Sequence, residues 1–250
     1  MTKSIEYLAG PFAEASLPLA SVANNALDKL PHMPSPNMTT AGNTKTPHVG
    51  QRQSAPLSLF ISWYQSVSVS QPGMNQFCND HPDECIPSDQ PPLALVFNPT
   101  MMETLRAVNM LANFTTNYVE DQKQYGREEY WAYPEGQGDC EDFALLKKKM
   151  LIERGFVPSA LLITTAFNEQ GEGHAFLTIR TTQGDFALDN ADSEIMPLSE
   201  VWEKRGYTFA HIQDPQNPNV FHPVACPGEK DACEERRSRI LSLISSPGLH

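Results

Sequence analysis

The sequence has no run of apolar residues of the length that crosses a bilayer, so it predicts no membrane-spanning segment. It also has few basic residues: 18 lysines and arginines stand against 30 aspartates and glutamates, which gives a net charge of −12. Nucleic acids and anionic membranes bind basic surfaces, so this balance argues against both as partners. It does not identify a substrate.

Cysteine is scarce, and the spacing of the five cysteines is informative. Cys78 and Cys85 are separated by six residues, as are Cys226 and Cys233, while Cys140 stands alone. The simplest interpretation is two short disulfide loops and one free thiol, which predicts an oxidising compartment. Four reduced thiols are the alternative. A zinc site is disfavoured because structural zinc ligands usually pair at a spacing of about two to four residues.

The composition divides the chain into three predicted parts. Residues 1–56 are rich in Pro, Ser, Thr, Asn and Gly without an apolar period, which is typical of a disordered, linker or export region. Residues 57–224 are long enough to bury a core and form the predicted folded domain. Residues 225–250 carry a short cysteine loop and a charged helix and are predicted to be a C-terminal appendage.

The N-terminus is a poor match to an export signal. It has one lysine, and its apolar stretch at residues 7–23 is interrupted by Glu14 and two prolines, although residues 21–23 would pass as a cleavage site. The cysteines favour a periplasmic or secreted protein, and the sequence leaves the export route open.

A cysteine at the predicted start of a helix is the central feature of the chain. Residues 136–146 read GQGDCEDFALL, in which a glycine-rich approach leads to Cys140 and apolar residues then recur at helical spacing. A helix N-terminus favours the thiolate through its dipole and its unpaired N–H groups. Because His174 and Asp189 follow, the chain order is that of papain-like thiol enzymes. Cys140 would attack a carbonyl, with its own backbone N–H as oxyanion donor; His174 would transfer the proton, and Asp189 would orient the imidazole.

The sequence predicts a long helix before Cys140. Asn98 caps this helix, which is expected to end near Asp121. Its inner face carries apolar and small residues at three- and four-residue steps, namely Leu105, Val108, Ala112, Thr115 and Val119. A second row consists of Asn109, Asn113 and Asn117. We interpret this row as a hydrated outer face, with a polar cleft as the alternative.

Shorter elements surround that helix. Residues 57–64 are predicted to be a first strand or a short amphipathic segment, and residues 77–85 a loop. The helix from Cys140 should run to about Arg154, with its lysines, Lys147 to Lys149, facing out and its apolar residues facing in, namely Leu145, Leu146, Met150 and Leu151. Strands are predicted at 159–165, 174–180 and 185–189. The last two form a hairpin that would bring His174 near Asp189.

The acids around Cys140 oppose the proposed chemistry. Asp139, Glu141 and Asp142 place negative charge beside a thiol that must itself become negative, and such repulsion raises its pKa. Three interpretations stay open. Asp139 caps the helix and the others are ordinary first-turn acids, the site is inactive, or a hard divalent cation binds the carboxylates. The residue pattern by itself favours capping.

Three motifs carry a resemblance to a known family. The segment GDCEDFA at 138–144 with Lys147, followed by GHA at 173–175 and LDN at 188–190, resembles the bacterial transglutaminase-like cysteine proteinases. That family includes a periplasmic calcium-dependent protease of large surface adhesins. The resemblance covers about residues 77–221, including Tyr130-Trp131-Ala132 and Gly206-Tyr207.

The resemblance implies an α+β, papain/transglutaminase-like fold in which the nucleophile's helix packs on an antiparallel sheet. It implies a cysteine peptidase with Cys140, His174 and Asp189 as its triad, and Ca²⁺ bound through Asp139 and Glu141. A protein substrate and a regulatory protein would be its partners. Two alternatives remain: a transglutaminase-type acyltransferase or amidase, and a non-catalytic calcium- or partner-binding module on a protease scaffold.

Overall fold

A computed structural model describes residues 60–226 and 230–244, so the prediction for residues 1–56 lies outside the described residues. The helices are α1 Pro72–Asp80, α2 Pro99–Thr115, α3 Asp121–Gln124, α4 Cys140–Ile152, α5 Leu198–Lys204 and α6 Lys230–Ile244. The strands are β1 Asn117–Tyr118, β2 Gln137–Gly138, β3 Leu161–Phe167, β4 Gly173–Thr181, β5 Gly184–Leu188, β6 Met196–Pro197, β7 Thr208–Gln213 and β8 Phe221–Pro223. In this part of the chain no helix is long and apolar enough to cross a membrane.

The core of the molecule is a six-stranded antiparallel sheet in the order β6-β5-β4-β3-β7-β8. Alternate residues of the central strands serve two cores. Ile163 and Leu177 pack with α2 and α4 on one face, whereas Leu162 and Phe176 pack with α5 on the opposite face. Because both faces are covered, the two central strands, β3 and β4, are buried along most of their length. The predicted α+β fold, with the Cys140 helix packed on an antiparallel sheet, is confirmed.

The predicted orientation of α4 is partly wrong. Leu145, Met150 and Leu151 are buried, as expected, but Lys147 is also buried, at 1% exposure, rather than facing out. Lys147 is one helical turn from Phe143 and from Leu151, so it shares their buried face. The carboxylate of Asp189 lies near enough to act on its charge.

The helix capped by Asn98 ends earlier than predicted. The cap is confirmed, since Oδ1 of Asn98 accepts a hydrogen bond from the backbone N–H of Met101 at 2.9 Å. The helix stops at Thr115, not near Asp121, because Thr116 is extended and the chain continues into β1, which pairs in parallel with β2. This pairing carries the chain to α3 and places Asp121 beside the residues that precede Cys140.

The asparagine row of α2 is not a hydrated face. Asn109 is buried and its amide donates to the carbonyls of Asp192 and Ser193 at 3.0 and 3.1 Å. Asn113 donates to the carbonyl of Asp189 at 2.9 Å. The interpretation holds only for Asn117, which is exposed and belongs to β1. The row therefore anchors the segment that follows β5.

The cysteine pattern is confirmed: Cys78 is bonded to Cys85, Cys226 is bonded to Cys233, and Cys140 is free. The predicted loop at 77–85 is partly wrong, because Cys78 lies in α1. Proline at the first turn of that helix and a buried face of Met74, Phe77 and Cys78 explain the difference.

The two ends of the described chain also pack on the sheet. Of the predicted first strand, residues 60–64 are described; Trp63 makes an isolated bridge to Val224, and Ile61 is buried. At the other end, Cys233 of α6 is buried in the core on the α5 side of the sheet.

Candidate active site

Cys140 is the first residue of α4, and the turn before it requires glycine. A Cβ atom on Gly138 would lie 2.5 Å from Oδ2 of Asp142 and 2.8 Å from its Cβ, so a larger residue would displace the helix start. Asp139 adopts the extended backbone of an N-cap residue. The predicted helix start is therefore confirmed, and Cys140 lies at the positive end of α4.

The groups around the Cys140 thiol shift its pKa in opposite directions. Its Sγ donates to Oε2 of Glu141 at 3.2 Å. Burial raises the pKa of the thiol well above its ordinary value, and the charges of Glu141 and Asp139 act in the same direction. The backbone N–H of Ala175, the residue after His174, is hydrogen-bonded to the sulfur and lowers the pKa. The acids around the thiol thus favour its protonated form.

The β4–β5 hairpin brings His174 and Asp189 together, as predicted. Leu177 pairs with Leu188, which makes His174 a diagonal cross-strand neighbour of Asp189. Nε2 of His174 lies 2.8 Å from Oδ1 of Asp189. Burial by itself would raise the pKa of Asp189, but the hydrogen bond and charge of His174 outweigh it, and the pKa is lowered.

Asp189 has further partners that the sequence did not indicate. Oδ1 also accepts from the backbone N–H of Ala191 at 3.0 Å, and Oδ2 accepts from the hydroxyl of Tyr207 at 3.1 Å. The backbone carbonyl of Asp189 accepts a hydrogen bond from the side-chain amide of Asn113. Tyr207 belongs to the quoted family motifs, but its role depends on β7 lying beside β3, which no local pattern reveals.

Three buried carboxylates form a group next to the thiol. One carboxylate oxygen from each of Asp121, Asp139 and Glu141 lies within 4.8 Å of the others. Asp139 does not cap α4 through its side chain, because its Oδ2 accepts the backbone N–H of Asp121 at 3.0 Å. The capping interpretation is therefore wrong for this carboxylate. Asp121 was not among the predicted ligands, since it is 18 positions from Asp139 and reaches it only through the β1–β2 pairing.

The acidic group fits a hard divalent cation. Oδ1 of Asp121 and Oδ1 of Asp139 are buried without a hydrogen-bond partner. Burial and the charge of Asp139 raise the pKa of Asp121 to about 6, although the backbone N–H of Tyr130 opposes them. Burial and the charge of Asp139 likewise raise the pKa of Glu141 strongly. Carboxylate oxygens are among the hard ligands that calcium takes in proteins, so a bound calcium ion would satisfy these oxygens and offset their repulsion.

Asp142 is not one of the three grouped carboxylates and makes a different contact from Asp139 and Glu141. It is fully buried, and its Oδ1 accepts the backbone N–H of Ala132 at 2.7 Å. Burial raises its pKa to about 8. The backbone N–H of Tyr130 likewise donates to Asp121. The motif at 130–132 is thus tied by its backbone to the acids on either side of the site.

A separate cavity of about 760 Å³ lies along the C-terminal half of α4. Its walls include Met74, Leu145, Lys148, Ile152 and Gln216, and they include none of Cys140, His174 and Asp189.

Comparison with known proteins places the chain in a family. The model of the bacterial transglutaminase-like cysteine proteinases matches residues 65–228. Comparison with curated proteins gives no match. Among solved structures, calcium-bound LapG of Legionella pneumophila is 23% identical with a TM-score of 0.43, over 60% of this chain and 83% of that one.

The same Legionella pneumophila protein also matches in two other forms. LapG is 24% identical with a TM-score of 0.39, over 56% of this chain and 76% of that one. EGTA-treated LapG is 22% identical with a TM-score of 0.40, over 56% and 77%. Because the family match extends over well more than half of the 250 residues, the chain belongs to the bacterial transglutaminase-like cysteine proteinases and is a cysteine peptidase.

Proposed function

We propose that this cysteine peptidase is a calcium-dependent endopeptidase with Cys140 as nucleophile, His174 as general acid and base, and Asp189 as the residue that orients His174. The observation that carries the proposal is the His174–Asp189 hydrogen bond of 2.8 Å. His174 is the second residue of β4, and the backbone N–H of the next residue, Ala175, is hydrogen-bonded to the Cys140 sulfur. Both contacts come from one strand, β4, which supports a shared site.

The hydrogen bond supports different roles for the two nitrogens of the imidazole. Nε2 of His174 is committed to Asp189, so Nδ1 is the nitrogen that can take the proton of the thiol. The thiolate would attack a peptide carbonyl, and the imidazolium would protonate the leaving amine. Water, deprotonated by His174, would then hydrolyse the acyl-enzyme. The backbone N–H of Cys140, one of the unpaired N–H groups of the first helical turn, would bind the oxyanion.

Asp121, Asp139 and Glu141 would hold the calcium ion. Bound there, calcium would supply positive charge that offsets the carboxylates beside the thiol. With that repulsion offset, the start of α4 and the N–H of Ala175 would lower the pKa of the Cys140 thiol. The third ligand, Asp121, extends the predicted pair of Asp139 and Glu141.

The activity and the disulfides together indicate the substrate class. A peptidase implies a protein substrate, and two disulfides support an oxidising compartment, so we place the substrate in the cell envelope or among secreted proteins. A second protein that controls access to Cys140 is part of the same proposal.

The test compares the wild-type chain with Cys140→Ala. Each is incubated in calcium with a cell-envelope protein fraction, and the new N-termini are identified by mass spectrometry. We expect new N-termini with the wild type only, while circular dichroism and the melting temperature stay the same, because alanine at this position costs little stability. Cleavage that survives in Cys140→Ala would remove Cys140 as the nucleophile.

A primary-amine probe in the same incubation separates the alternatives. Incorporation of the amine in place of new N-termini would identify an acyltransferase. If neither product forms and Cys140 reacts with iodoacetamide no faster than free cysteine, the chain is a non-catalytic scaffold.

A further inference from the structure

Tyr207 contacts both members of the His174–Asp189 pair. Its hydroxyl donates to Oδ2 of Asp189 at 3.1 Å. Its ring centroid lies 5.0 Å from that of His174, with the two ring planes inclined at 59°. One contact acts on the carboxylate and the other on the imidazole.

The carboxylate of Asp189 needs donors on both of its oxygens to keep one orientation. Oδ1 accepts from His174 and from the N–H of Ala191, and Oδ2 accepts from Tyr207. Asp189 is only 5% exposed, so an oxygen that lost its donor could not be hydrated freely. Because an unpaired buried acceptor is costly, loss of the Tyr207 hydroxyl would favour rotation of the carboxylate away from His174.

The position of Tyr207 is set from two sides. On one side, Gly206 has a φ of +65°, a left-handed conformation that favours glycine before the tyrosine. On the other side, Nη1 of Arg236 in α6 donates to the carbonyls of Trp202 and Tyr207 at 2.9 and 3.3 Å. Tyr207 itself is 7% exposed.

The hydroxyl of Tyr207 stays protonated at neutral pH and therefore remains a donor. Burial and the charge of Asp189 both raise the pKa of Tyr207 well above its ordinary value. A carboxylate has no proton to give, so the hydrogen bond has one direction, from the phenol to Asp189.

We infer that Tyr207 is a positioning residue of the pair: its hydroxyl holds Asp189 in the orientation in which Oδ1 accepts from His174, and its ring restrains the imidazole. The inference rests on the proposed function for the roles of His174 and Asp189. Tyr207 acts through these two residues and takes no part in bond making.

The test is Tyr207→Phe, which keeps the ring and removes the hydroxyl. Tyr133→Phe is the matched control, since its hydroxyl donates to Glu84 and it lines the separate cavity. The first readout is the Nε2–H signal of His174 in ¹H–¹⁵N NMR spectra, assigned with His174→Gln. The second is the rate at which iodoacetamide alkylates Cys140 at about pH 7 in calcium, because the thiolate is the form that reacts.

In the wild type and in Tyr133→Phe we expect the Nε2–H proton of His174 to be protected from exchange with solvent and its signal to be visible. In Tyr207→Phe the signal should broaden or vanish. Alkylation should slow about tenfold in Tyr207→Phe, the scale of one lost hydrogen bond to a charged group. Melting temperatures, measured in parallel, should show all three proteins folded at the assay temperature.

The decisive comparison adds Tyr207→Phe to a chain that already carries Asp189→Asn. If Tyr207 acts through Asp189, adding Tyr207→Phe to Asp189→Asn should slow alkylation no further. An unchanged His174 signal in Tyr207→Phe, or the same tenfold loss in the Asp189→Asn background, would overturn the inference. A wild-type thiol that reacts no faster than free cysteine would instead contradict the proposed function, and the His174 signal would still decide whether Tyr207 holds the pair.

Discussion

The backbone N–H of Asp121 donates to Oδ2 of Asp139 at 3.0 Å. This bond joins α3 to the residue before Cys140, and it uses the carboxylate that a helix cap would otherwise use. It leaves Oδ1 of both aspartates buried, without a hydrogen-bond partner and close to Glu141. In the absence of a cation, the three acids therefore repel one another at the start of α4.

Asp121→Asn should separate the cost of this repulsion from the benefit of a bound ion. In EDTA we expect the variant to melt no lower than the wild type, because one repelling charge is gone. Calcium at about 100 times its dissociation constant should stabilise the wild type by about 2.7 kcal/mol, and it should stabilise Asp121→Asn much less.

Melting curves with calcium and with EDTA measure both effects. Asp83→Asn is the control, since Asp83 is exposed and lies outside the acidic group. Equal stabilisation of wild type and Asp121→Asn by calcium would show that Asp121 is not a ligand.

The buried Lys147 predicts a pH-dependent stability. Burial lowers the pKa of Lys147 to about 7, although the charge of Asp189 opposes this shift. Above that pKa the folded state holds fewer protons than the unfolded state, so the contribution of Lys147 to stability rises with pH from about 7 towards about 10. The slope is at most about 1.4 kcal/mol per pH unit.

Lys147→Met should abolish this contribution. We expect the variant to be more stable than the wild type at about pH 6 to 7, since a buried charge is replaced by an apolar chain, and the difference should shrink as the pH rises. Urea unfolding at several pH values measures it. Burial lowers the pKa of Lys148 to about 8 and raises that of Asp142 to about 8. Both groups are present in the variant and in the wild type, so their contributions to stability cancel in the difference between the two proteins. Lys149→Met, at a partly exposed site, should show no such trend.

Asn113 should contribute to stability through the segment after β5. Asn113→Ala removes the donor to the carbonyl of Asp189 and a second bond, of 3.2 Å, to the carbonyl of Asp192. We expect the free energy of unfolding to fall by about 1 to 2 kcal/mol, because these partly buried acceptors lose their partner. Urea unfolding is the measurement. Asn117→Ala, which affects an exposed bond to Gly136, is the control, and equal losses in the two variants would contradict the assignment.

Some features of the site follow from short stretches of sequence. The glycine-rich approach and the apolar period after Cys140 predicted the start of α4, since both are local properties of backbone and burial. The turn between two apolar strands predicted the hairpin that pairs His174 with Asp189. The equal spacing of four cysteines predicted the two disulfides, because a short loop brings its own ends together.

Other features required the tertiary structure. Asp121 joins the acidic group only because β1 and β2, separated by 18 residues, pair in parallel. Lys147 is buried because its face of α4 turns to the sheet, and a lysine in a charged run gives no sign of this. Asn113 and Tyr207 reach Asp189 from α2 and from the residue before β7.

The amino-acid sequence by itself thus determined the helix that presents the thiol, the strand pair that carries the imidazole and carboxylate, and the family. Only the folded chain decided which acids lie together and what holds Asp189 in place. The physical reason is range: helix starts, hairpins and short loops depend on neighbours a few residues apart. Carboxylate repulsion and hydrogen bonds instead act between any groups that packing brings within a few ångströms, whatever their separation in sequence.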